Sequence, residues 1–528
     1  IKMTRIALLC LVVLLGNVVS LKFLVYNPRF GRSHVTFMGK VAEVLVDAGH
    51  EVVMLSPTIQ AKLNSLGTDK VKRIITVPQT EEAKDFEETV QDKMSANLWT
   101  ATSFLSAMKE FGKFSSSIAS QCNATIMLPG LLESLKNEKF DAAMAEPMDM
   151  CGFGIFYRVG IENIAVTLSV GSFEGSFAYT GLPSFPSYVP GMMSSSGEKM
   201  SFFERMSNLL GMSMGRIMFP MMALPTEEVF KQHYGQEFPS LKDIVALSSL
   251  HFINAEPLIE FPRVILHKTI DIGGISVSTG HSDLNKTWSD ILDLRSKTVL
   301  ISFGTVAKSH LMPEEYKQSI RQTARTFPDV TFIWKYEQPG DKMSEGITNL
   351  IESTWIPQND MLYDRRLSLF ITHGGQGSIT EATTAGVPLI VIPVLGDQIR
   401  NAAVIKRIGT GFVLEKTMMS DCEKLSEAVE EILSNDEYTK KARFVGNMIS
   451  DRPFTAKETF VRNVEFMAKY GPLRQLDHYG KELNFFQYYL IDVFTFLTSI
   501  VLFVLFVVYK ALSFIIRKCF GIGKVKKD

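Results

Sequence analysis

The sequence predicts an α/β protein made of two successive doubly wound domains, each with a parallel sheet, and a single membrane-spanning helix near the carboxyl end. Three observations predict this architecture. Short apolar runs alternate with helical patterns in both halves of the chain, as in consecutive βαβ units. The chain has 528 residues, 46% of them hydrophobic and 21% charged, which is enough for two or three globular domains. Residues 493–509 form an uncharged apolar run that approaches membrane-spanning length.

The first half opens with a strand from Leu21 to Tyr26, a helix from about His34 to Ala48 and a strand from Glu51 to Leu55. Apolar runs predict three further strands, at residues 72–77, 142–145 and 164–167. Parallel strands joined by helices in this way are typical of a Rossmann-like sheet, in which ligands bind at the carboxyl ends of the strands.

The second half repeats this pattern with a strand from Thr298 to Phe303, a helix from about Pro313 to Thr326 and a strand from Val330 to Trp334. We therefore expect one Rossmann-like domain at residues 21–265 and a second at residues 266–475. The glycine turn Gly304-Thr305 directly follows a strand and is a candidate phosphate contact. Three more helices are expected at residues 421–434, 436–450 and 451–470.

The most distinctive stretch begins with an apolar strand from Leu367 to Thr372, which runs into His373 and a glycine turn. A helix is expected to begin there with a capping box, Ser378 to Glu381, and to end at Gly386. A glycine turn before a helix favours an anionic ligand, because the backbone approaches a phosphate and the helix offers unpaired N–H groups. Thr380 replaces the third glycine of the dinucleotide fingerprint, which disfavours a nicotinamide enzyme.

Three motifs surround this turn: W-x-P-Q-N-D from Trp355, F-x-T-H-G-G ending at Gly375, and a run from Gly386 to Ala402 that reads G-V-P-x-x-x-x-P-x-x-G-D-Q-x-x-N-A. Together they resemble the signature of the animal UDP-glucuronosyltransferase family, and the resemblance extends over nearly the whole chain. It implies an inverting GT-B glycosyltransferase that needs no metal and no cofactor. The co-substrate would be UDP-glucuronate or UDP-glucose, and the acceptors would be small lipophilic molecules, as in detoxification. The sequence does not choose between the two donors or name the acceptor.

The resemblance also assigns the donor site. The departure from the family is Gly377, where a polar residue is usual, so that Ser378 and backbone amides would have to serve in its place. The implied contacts are Trp355 with uracil, Gln358 with the base or ribose, Glu381 with the ribose hydroxyls, His373 with the diphosphate, and Asp397 with Gln398 on the sugar; Gly304, Thr305, Gly375 and Ser378 complete the donor-binding set.

His34 is the candidate catalytic base. It stands at the carboxyl end of the first predicted strand, which faces the cleft in a doubly wound sheet, and imidazole titrates near neutral pH. The family's G-S-H-type motif supports this role. A carboxylate normally orients such a base, and Glu146 stands where the family has an aspartate, with Asp149 as the alternative. Because Glu146 and Gly377 depart from the family, a catalytically weak or inactive membrane-anchored binding protein of the same fold is the competing hypothesis.

The two ends of the chain predict a membrane protein. Residues 1–20 resemble a secretory signal peptide, because Lys2 and Arg5 precede an apolar run. A transmembrane helix is expected at 488–510 and a basic cytosolic tail at 511–528, which places the two domains in the lumen by the positive-inside rule. Lys524 and Lys526 resemble a dilysine signal for retrieval to the endoplasmic reticulum.

The net charge of −1 gives no basic surface that would predict a nucleic-acid partner, whereas membrane lipid is an expected partner and a homo-oligomer is left open. Cys122, Cys151 and Cys422 have no zinc-binding spacing, so no metal site is predicted, and they allow at most one disulfide. Asn123 and Asn285 begin glycosylation sequons, which matter in a luminal protein.

Nine methionines lie between residues 192 and 222. Methionine is an adaptable apolar side chain that occurs in cores and on promiscuous surfaces. The sequence leaves three interpretations open for this segment: a lipophilic pocket, an ordinary core helix, or a face that dips into the membrane.

Overall fold

The computed structural model describes residues 20–521 apart from 101–103, 172 and 278–282. Residues 20–476 form one unit and residues 477–521 a second, and each is described by itself. Except for Ser20, the predicted signal peptide lies outside the described residues, as do Lys524 and Lys526.

The first half of the larger unit contains a seven-stranded parallel sheet. Its order is β3-β2-β1-β4-β5-β6-β7, so the chain winds from the central strand towards one edge and then towards the other, as in a doubly wound fold. The strands are β1 (Lys22–Tyr26), β2 (Glu51–Pro57), β3 (Arg73–Val77), β4 (Ala142–Ala145), β5 (Ile164–Leu168), β6 (Leu250–Ile253) and β7 (Thr269–Asp271).

Helices cover this sheet because its strands are apolar on both faces. The burial pattern of β4 and β5 is continuous, and side chains of alternate parity enter two separate hydrophobic clusters. The helices of this half are α1 (Arg32–Asp47), α2 (Glu81–Thr89), α3 (Gln91–Asn97), α4 (Phe104–Ile126), α5 (Leu131–Asn137), α6 (Cys151–Val159), α7 (Glu174–Thr180), α8 (Phe202–Met221), α9 (Leu224–Tyr234) and α10 (Leu241–Ala246).

The second half contains a six-stranded parallel sheet with the order β10-β9-β8-β11-β12-β13. Its strands are β8 (Lys297–Ser302), β9 (Val330–Lys335), β10 (Leu350–Ser353), β11 (Leu367–Thr372), β12 (Leu389–Val391) and β13 (Gly411–Val413). Its helices are α11 (Lys286–Leu292), α12 (Glu314–Thr326), α13 (Gln358–Leu362), α14 (Gln376–Ala385), α15 (Asp397–Ile408), α16 (Cys422–Ser434), α17 (Asp436–Ser450) and α18 (Ala456–Tyr470).

The predicted fold class is confirmed by these two sheets, and most predicted elements lie within two residues of the observed bounds. The domain boundary between residues 265 and 266 stays a prediction, and β7 of the first sheet lies just beyond it. The passage from the first sheet to the second falls between Asp271 and Lys297.

Two predicted helix starts were wrong. Helix α14 begins at Gln376, with Gly375 as its N-cap and no capping hydrogen bond from a side chain, so Ser378 and Glu381 do not form a capping box. The reason is that the end of the glycine turn is itself helical. Helix α18 begins at Ala456, not at Asp451, because proline at 453 lies in the preceding turn and Thr455 supplies a capping box with Glu458.

Helix α18 belongs in sequence to the second half but packs on the first. Phe460, Val464 and Met467 are buried in the same cluster as residues of β1 and α1. The rings of Phe252, in β6, and Phe460 meet edge to face with centroids 4.8 Å apart. The chain thus crosses back over the first sheet after completing the second.

Two further contacts join the halves. Trp99, from the first half, is 1% exposed and lies in the core of the second half, where its ring meets Phe303 and its Nε1 donates to the carbonyl of Lys308 at 3.0 Å. On α15, Arg400 forms a buried two-pronged ion pair with Glu260 and donates from Nε to the carbonyl of Pro190. Both contacts end on segments that border the cleft between the sheets.

Cys122 and Cys151 form a disulfide that links the end of α4 to the start of α6, and Cys422 is free. This selects one of the pairings that the sequence left open. Both sequon asparagines are exposed, but their settings differ. Asn123 lies within α4, with the sequon's Thr125 fully buried, whereas Asn285 caps the N-terminus of α11 and Thr287 is exposed.

The second unit contains a short helix, α19 (Phe485–Tyr488), and a long helix, α20 (Ile491–Cys519). In the part of the chain that the structure describes, α20 is the one helix long and apolar enough to cross a membrane. It begins slightly later than the predicted span at 488–510 and continues through residues 511–519 of the predicted tail.

Candidate active site

His34 and Glu146 meet at the carboxyl edge of the first sheet. His34 lies in the first turn of α1, beyond β1, and Glu146 directly follows β4, the strand beside β1. The His34 Nδ1 atom lies 2.7 Å from Glu146 Oε2. Ser169, directly after β5, donates from both its backbone N–H and its hydroxyl to Glu146 Oε1, at 2.8 and 2.6 Å. The carboxylate is therefore fixed from two sides while it holds the imidazole.

This arrangement sets the charge of both groups. Burial opposes the charge on His34, but the charge of Glu146, its hydrogen bond and the more distant charge of Asp397 together raise the histidine's pKa. Burial likewise opposes the charge on Glu146, and the contacts with His34 and Ser169 outweigh it, so the carboxyl pKa is lowered. With Nδ1 directed at Glu146, Nε2 is the nitrogen that remains for a substrate.

The alternative acid, Asp149, does not reach His34. Its carboxylate accepts from the hydroxyl of Tyr26 at 2.9 Å and from the backbone N–H of Cys151 at 2.9 Å. Burial raises its pKa to about 6 in spite of these bonds. The structure thus separates the two acids: Glu146 contacts the histidine, and Asp149 holds the start of α6.

Two glycine turns of the second half enclose His373. A Cβ added at Gly304 would lie 2.7 Å from the imidazole Cε1, and one added at Gly375 would lie 2.6 Å from Nε2. Gly304 also has a φ of +80°, which L side chains rarely adopt. Thr305 is exposed beside it. Burial, reinforced by the charge of Lys335, lowers the pKa of His373 to about 4, so this ring is neutral at physiological pH.

Lys335 is a site residue that the sequence reasoning missed. It ends β9, next to β8, and its Nζ donates to the carbonyl of Gly304 at 2.5 Å. Burial and then the charge of Arg32, which follows β1 of the first half, lower its pKa, against the opposing charge of Glu337. Lys335 therefore places a positive charge against the turn that is a candidate phosphate site. The sequence feature that could have identified Lys335 and Ser169 as site residues is their position at the carboxyl end of a strand.

The predicted contacts for the base and ribose also come together. Gln358 begins α13, and its Nε2 donates to Glu381 Oε2 at 2.7 Å and lies 3.4 Å from the Ser378 hydroxyl. Burial raises the pKa of Glu381, and the bond from Gln358 opposes this. Trp355 lies just before α13 with 62% of its surface exposed, so its indole face is available for stacking.

Asp397 and Gln398 begin α15 on the same side. The Asn401 amide donates to Asp397 Oδ2 and to the carbonyl of Gly374, both at 3.0 Å, which ties this helix to the glycine turn that follows His373. Gln398 Oε1 accepts two backbone N–H bonds from its own loop, at 2.9 and 3.0 Å, so its amide N–H group remains for a ligand. Burial raises the pKa of Asp397, and the nearby His34 opposes this.

The predicted catalytic and donor residues thus lie at the carboxyl edges of the two sheets, on one cleft, and the charges of His34 and Asp397, from opposite halves, are close enough to interact. A family model for UDP-glucoronosyl and UDP-glucosyl transferases matches residues 22–527. The chain belongs to this family. It is a glycosyltransferase, and the substrates expected for the family are a UDP-sugar donor and an acceptor. The resemblance seen in the motifs is confirmed.

Individual relatives support the assignment of the chain to this family. The Rattus norvegicus UDP-glucuronosyltransferase 1A8 is 29% identical to this chain, over 94% of this chain and 92% of its own length. A Caenorhabditis briggsae relative, ugt-47, is 28% identical over 98% of both chains. Among solved structures, the calicheamicin glycosyltransferase CalG4 matches with a TM-score of 0.57 and 14% identity, over 85% of this chain and 98% of its own. That likeness shows the shared GT-B fold.

Gly375→Ala tests the packing around His373. The new Cβ would collide with the ring, so we expect UDP affinity measured by calorimetry to fall roughly tenfold or more, the cost of losing a charge-assisted hydrogen bond of about 1.5–3 kcal/mol. Gly377→Ala is the matched control, because nothing lies within 4 Å of a Cβ there. Equal UDP affinity in the two variants would show that His373 does not contact the diphosphate.

Proposed function

We propose that this glycosyltransferase moves glucuronic acid or glucose from UDP to a hydroxyl of a small lipophilic acceptor, with inversion at the anomeric carbon. The observation that carries the proposal is the His34–Glu146 contact of 2.7 Å, placed across the cleft from Asp397 and the donor turn. It supplies a base that is oriented, and whose conjugate acid is stabilised, where an acceptor hydroxyl would approach the sugar.

In the proposed step, His34 Nε2 takes the proton of the acceptor hydroxyl as its oxygen attacks the anomeric carbon. The bond between that carbon and the diphosphate oxygen breaks, and UDP leaves with the electron pair. A single displacement from an α-linked donor gives a β-glycoside. Glu146 stays ionised and stabilises the imidazolium that forms, as its lowered pKa requires.

The leaving diphosphate gains negative charge, and three groups are placed to stabilise it. His373 is neutral and acts as a hydrogen-bond donor, not as a cation. Lys335 supplies positive charge beside Gly304, and the N-terminus of α14 supplies backbone N–H groups. No metal or cofactor takes part in the proposed step, so a chelator should leave turnover intact.

The competing hypothesis, a weak or inactive binding protein, rested on Glu146 and Gly377. Glu146 is long enough to reach His34 and is anchored by Ser169, so its extra methylene gives no reason for inactivity. Gly377 leaves only open space at its Cβ position. The balance of contacts therefore favours turnover.

A donor and acceptor assay tests the proposal. The full chain in microsomes, given a phenolic acceptor and either UDP-glucuronate or UDP-glucose, should release UDP and form the β-glycoside with one donor, with or without EDTA. The anomeric configuration is read by NMR of the product. Donor binding without product, for both sugars and a panel of lipophilic alcohols and phenols, would support the binding-protein hypothesis instead.

Glu146→Gln tests the orienting carboxylate. Loss of the charge should lower kcat by about 10³–10⁴-fold, as for other orienting acids, with little change in UDP affinity. Asp149→Asn is the matched control and should keep turnover within a few-fold, because Asp149 contacts Tyr26 and Cys151. The opposite pattern in the two variants would assign the role to Asp149.

Glu146→Gln should also shift the pH dependence of kcat/KM. His34 must be unprotonated to act as a base, so kcat/KM should fall as the pH drops below the histidine's raised pKa. Removing the charge of Glu146 removes the main cause of that rise. We therefore expect the acid limb of Glu146→Gln to lie at lower pH than that of the natural protein, and an unmoved limb would contradict the pairing.

We further propose that the chain is a single-pass protein of the endoplasmic reticulum membrane with its two domains in the lumen and with N-linked glycan. In sealed microsomes, added protease should remove only about the last twenty residues. Glycosidase should lower the mass, chiefly through Asn285, because that side chain and Thr287 are both exposed. Asn285→Gln should abolish most of the shift, and Asn123→Gln is the control. Digestion of the main unit from outside would overturn this topology.

A further inference from the structure

Helix α8 presents an apolar face that no described part of residues 20–476 covers. Eight large apolar side chains on this helix are between 46% and 72% exposed. Scattered exposed apolar residues are ordinary on a protein surface, but a contiguous patch of this size marks an interaction site. The exposed residues are Phe202, Phe203, Met206, Leu209, Leu210, Met214, Ile217 and Met221.

The opposite face shows that α8 is firmly packed. Asn208 and Met212 are buried, and Phe219 packs its ring on Phe173 at 4.8 Å. The Asn208 side chain accepts from the backbone of Gly191 at 2.8 Å and donates to the carbonyls of Pro186 and Val189. A capping box at Ser201 fixes the start of the helix. The apolar face is therefore held outward by specific contacts.

The outward half of α8 carries no charge. At 100° per residue, the buried positions 208 and 212 and the half-buried positions 215 and 219 share one side, and the half-circle opposite contains the eight exposed residues with Pro220 and two serines. The charged residues of the helix, Glu204, Arg205 and Arg216, lie on the flanks of the buried side. A face about 30 Å long that is apolar apart from two serines, with the charged residues of the helix beyond its borders, matches an interfacial helix.

We propose that α8 lies on the bilayer and buries this face among lipid headgroups and upper acyl chains, as a second membrane contact besides α20. A bilayer is the occupant that the chain itself provides, since α20 has membrane-spanning length and follows the larger unit in the same chain after residues 477–490. A protein partner would normally meet hydrogen-bonding groups within the patch, and the outward half of α8 offers two serine hydroxyls.

This proposal selects among the three interpretations of the methionine-rich segment. Met206, Met214 and Met221 are exposed on α8, so the segment is not simply core. Among the methionines of this helix, Met212 alone is buried. The contact with lipid requires no catalysis, and its test is therefore independent of the proposed reaction.

Site-specific fluorescence in lipid nanodiscs tests the contact. In the full chain with Cys10, Cys422 and Cys519 replaced by serine and the Cys122–Cys151 disulfide kept, single cysteines at Leu210 and Ile217 are labelled with a fluorophore. The matched control is Phe444→Cys on α17, an apolar residue that is 66% exposed. One copy per nanodisc excludes a second copy as the partner, and unchanged thermal unfolding verifies that each labelled variant is folded.

An interfacial helix buries its apolar face about 5–10 Å into the boundary between headgroups and acyl chains, so lipid carrying a nitroxide near the headgroup should quench both α8 labels several-fold more than the Phe444 label. Iodide in the water should quench in the opposite order. Iodide quenching at Leu210 and Ile217 equal to that at Phe444 would overturn the proposal. Protection of both α8 labels from both quenchers would also overturn it, in favour of a protein that covers the face.

Discussion

Both sheets of the larger unit are parallel in every pairing between their described strands, and the site depends on this constraint. Parallel strands bring their carboxyl ends to one edge, so residues far apart in sequence become neighbours. His34, Glu146 and Ser169 follow three adjacent strands of the first sheet. Gly304 and His373 follow two adjacent strands of the second, and Lys335 ends the strand on the other side of β8.

The two edges act together only if the halves keep their relative position. Trp99 inserts from the first half beneath the segment that carries Gly304, and Arg400 binds Glu260 and the carbonyl of Pro190 from the helix that begins with Asp397. A buried ion pair gives little net stability, because desolvation offsets the attraction. Its geometric role is the more important one here: it fixes the helix that presents Asp397 to His34.

The two cleft histidines illustrate how burial and neighbouring charge decide protonation. Both rings are partly buried, and burial alone would lower both pKa values. The carboxylate of Glu146 outweighs the effect of burial, so the pKa of His34 is raised and the ring becomes a stronger base. The positive charge of Lys335 adds to the effect of burial, so the pKa of His373 is lowered further and the ring remains a neutral hydrogen-bond donor. Opposite properties therefore arise from one residue type in a single cleft.

The sequence by itself determined the fold class, most element bounds and nearly all of the candidate site, because apolar periodicity, glycine turns and long motifs are local patterns. It could not choose between Glu146 and Asp149, which lie three residues apart, since the choice depends on which carboxylate points towards a helix 112 residues earlier in the chain. It also placed a capping box at Ser378, where the glycine turn already belongs to the helix. Lys335, Ser169, the disulfide partner of Cys151 and the outward face of α8 were decided only by the tertiary structure, because contacts between distant segments fix side-chain direction and burial.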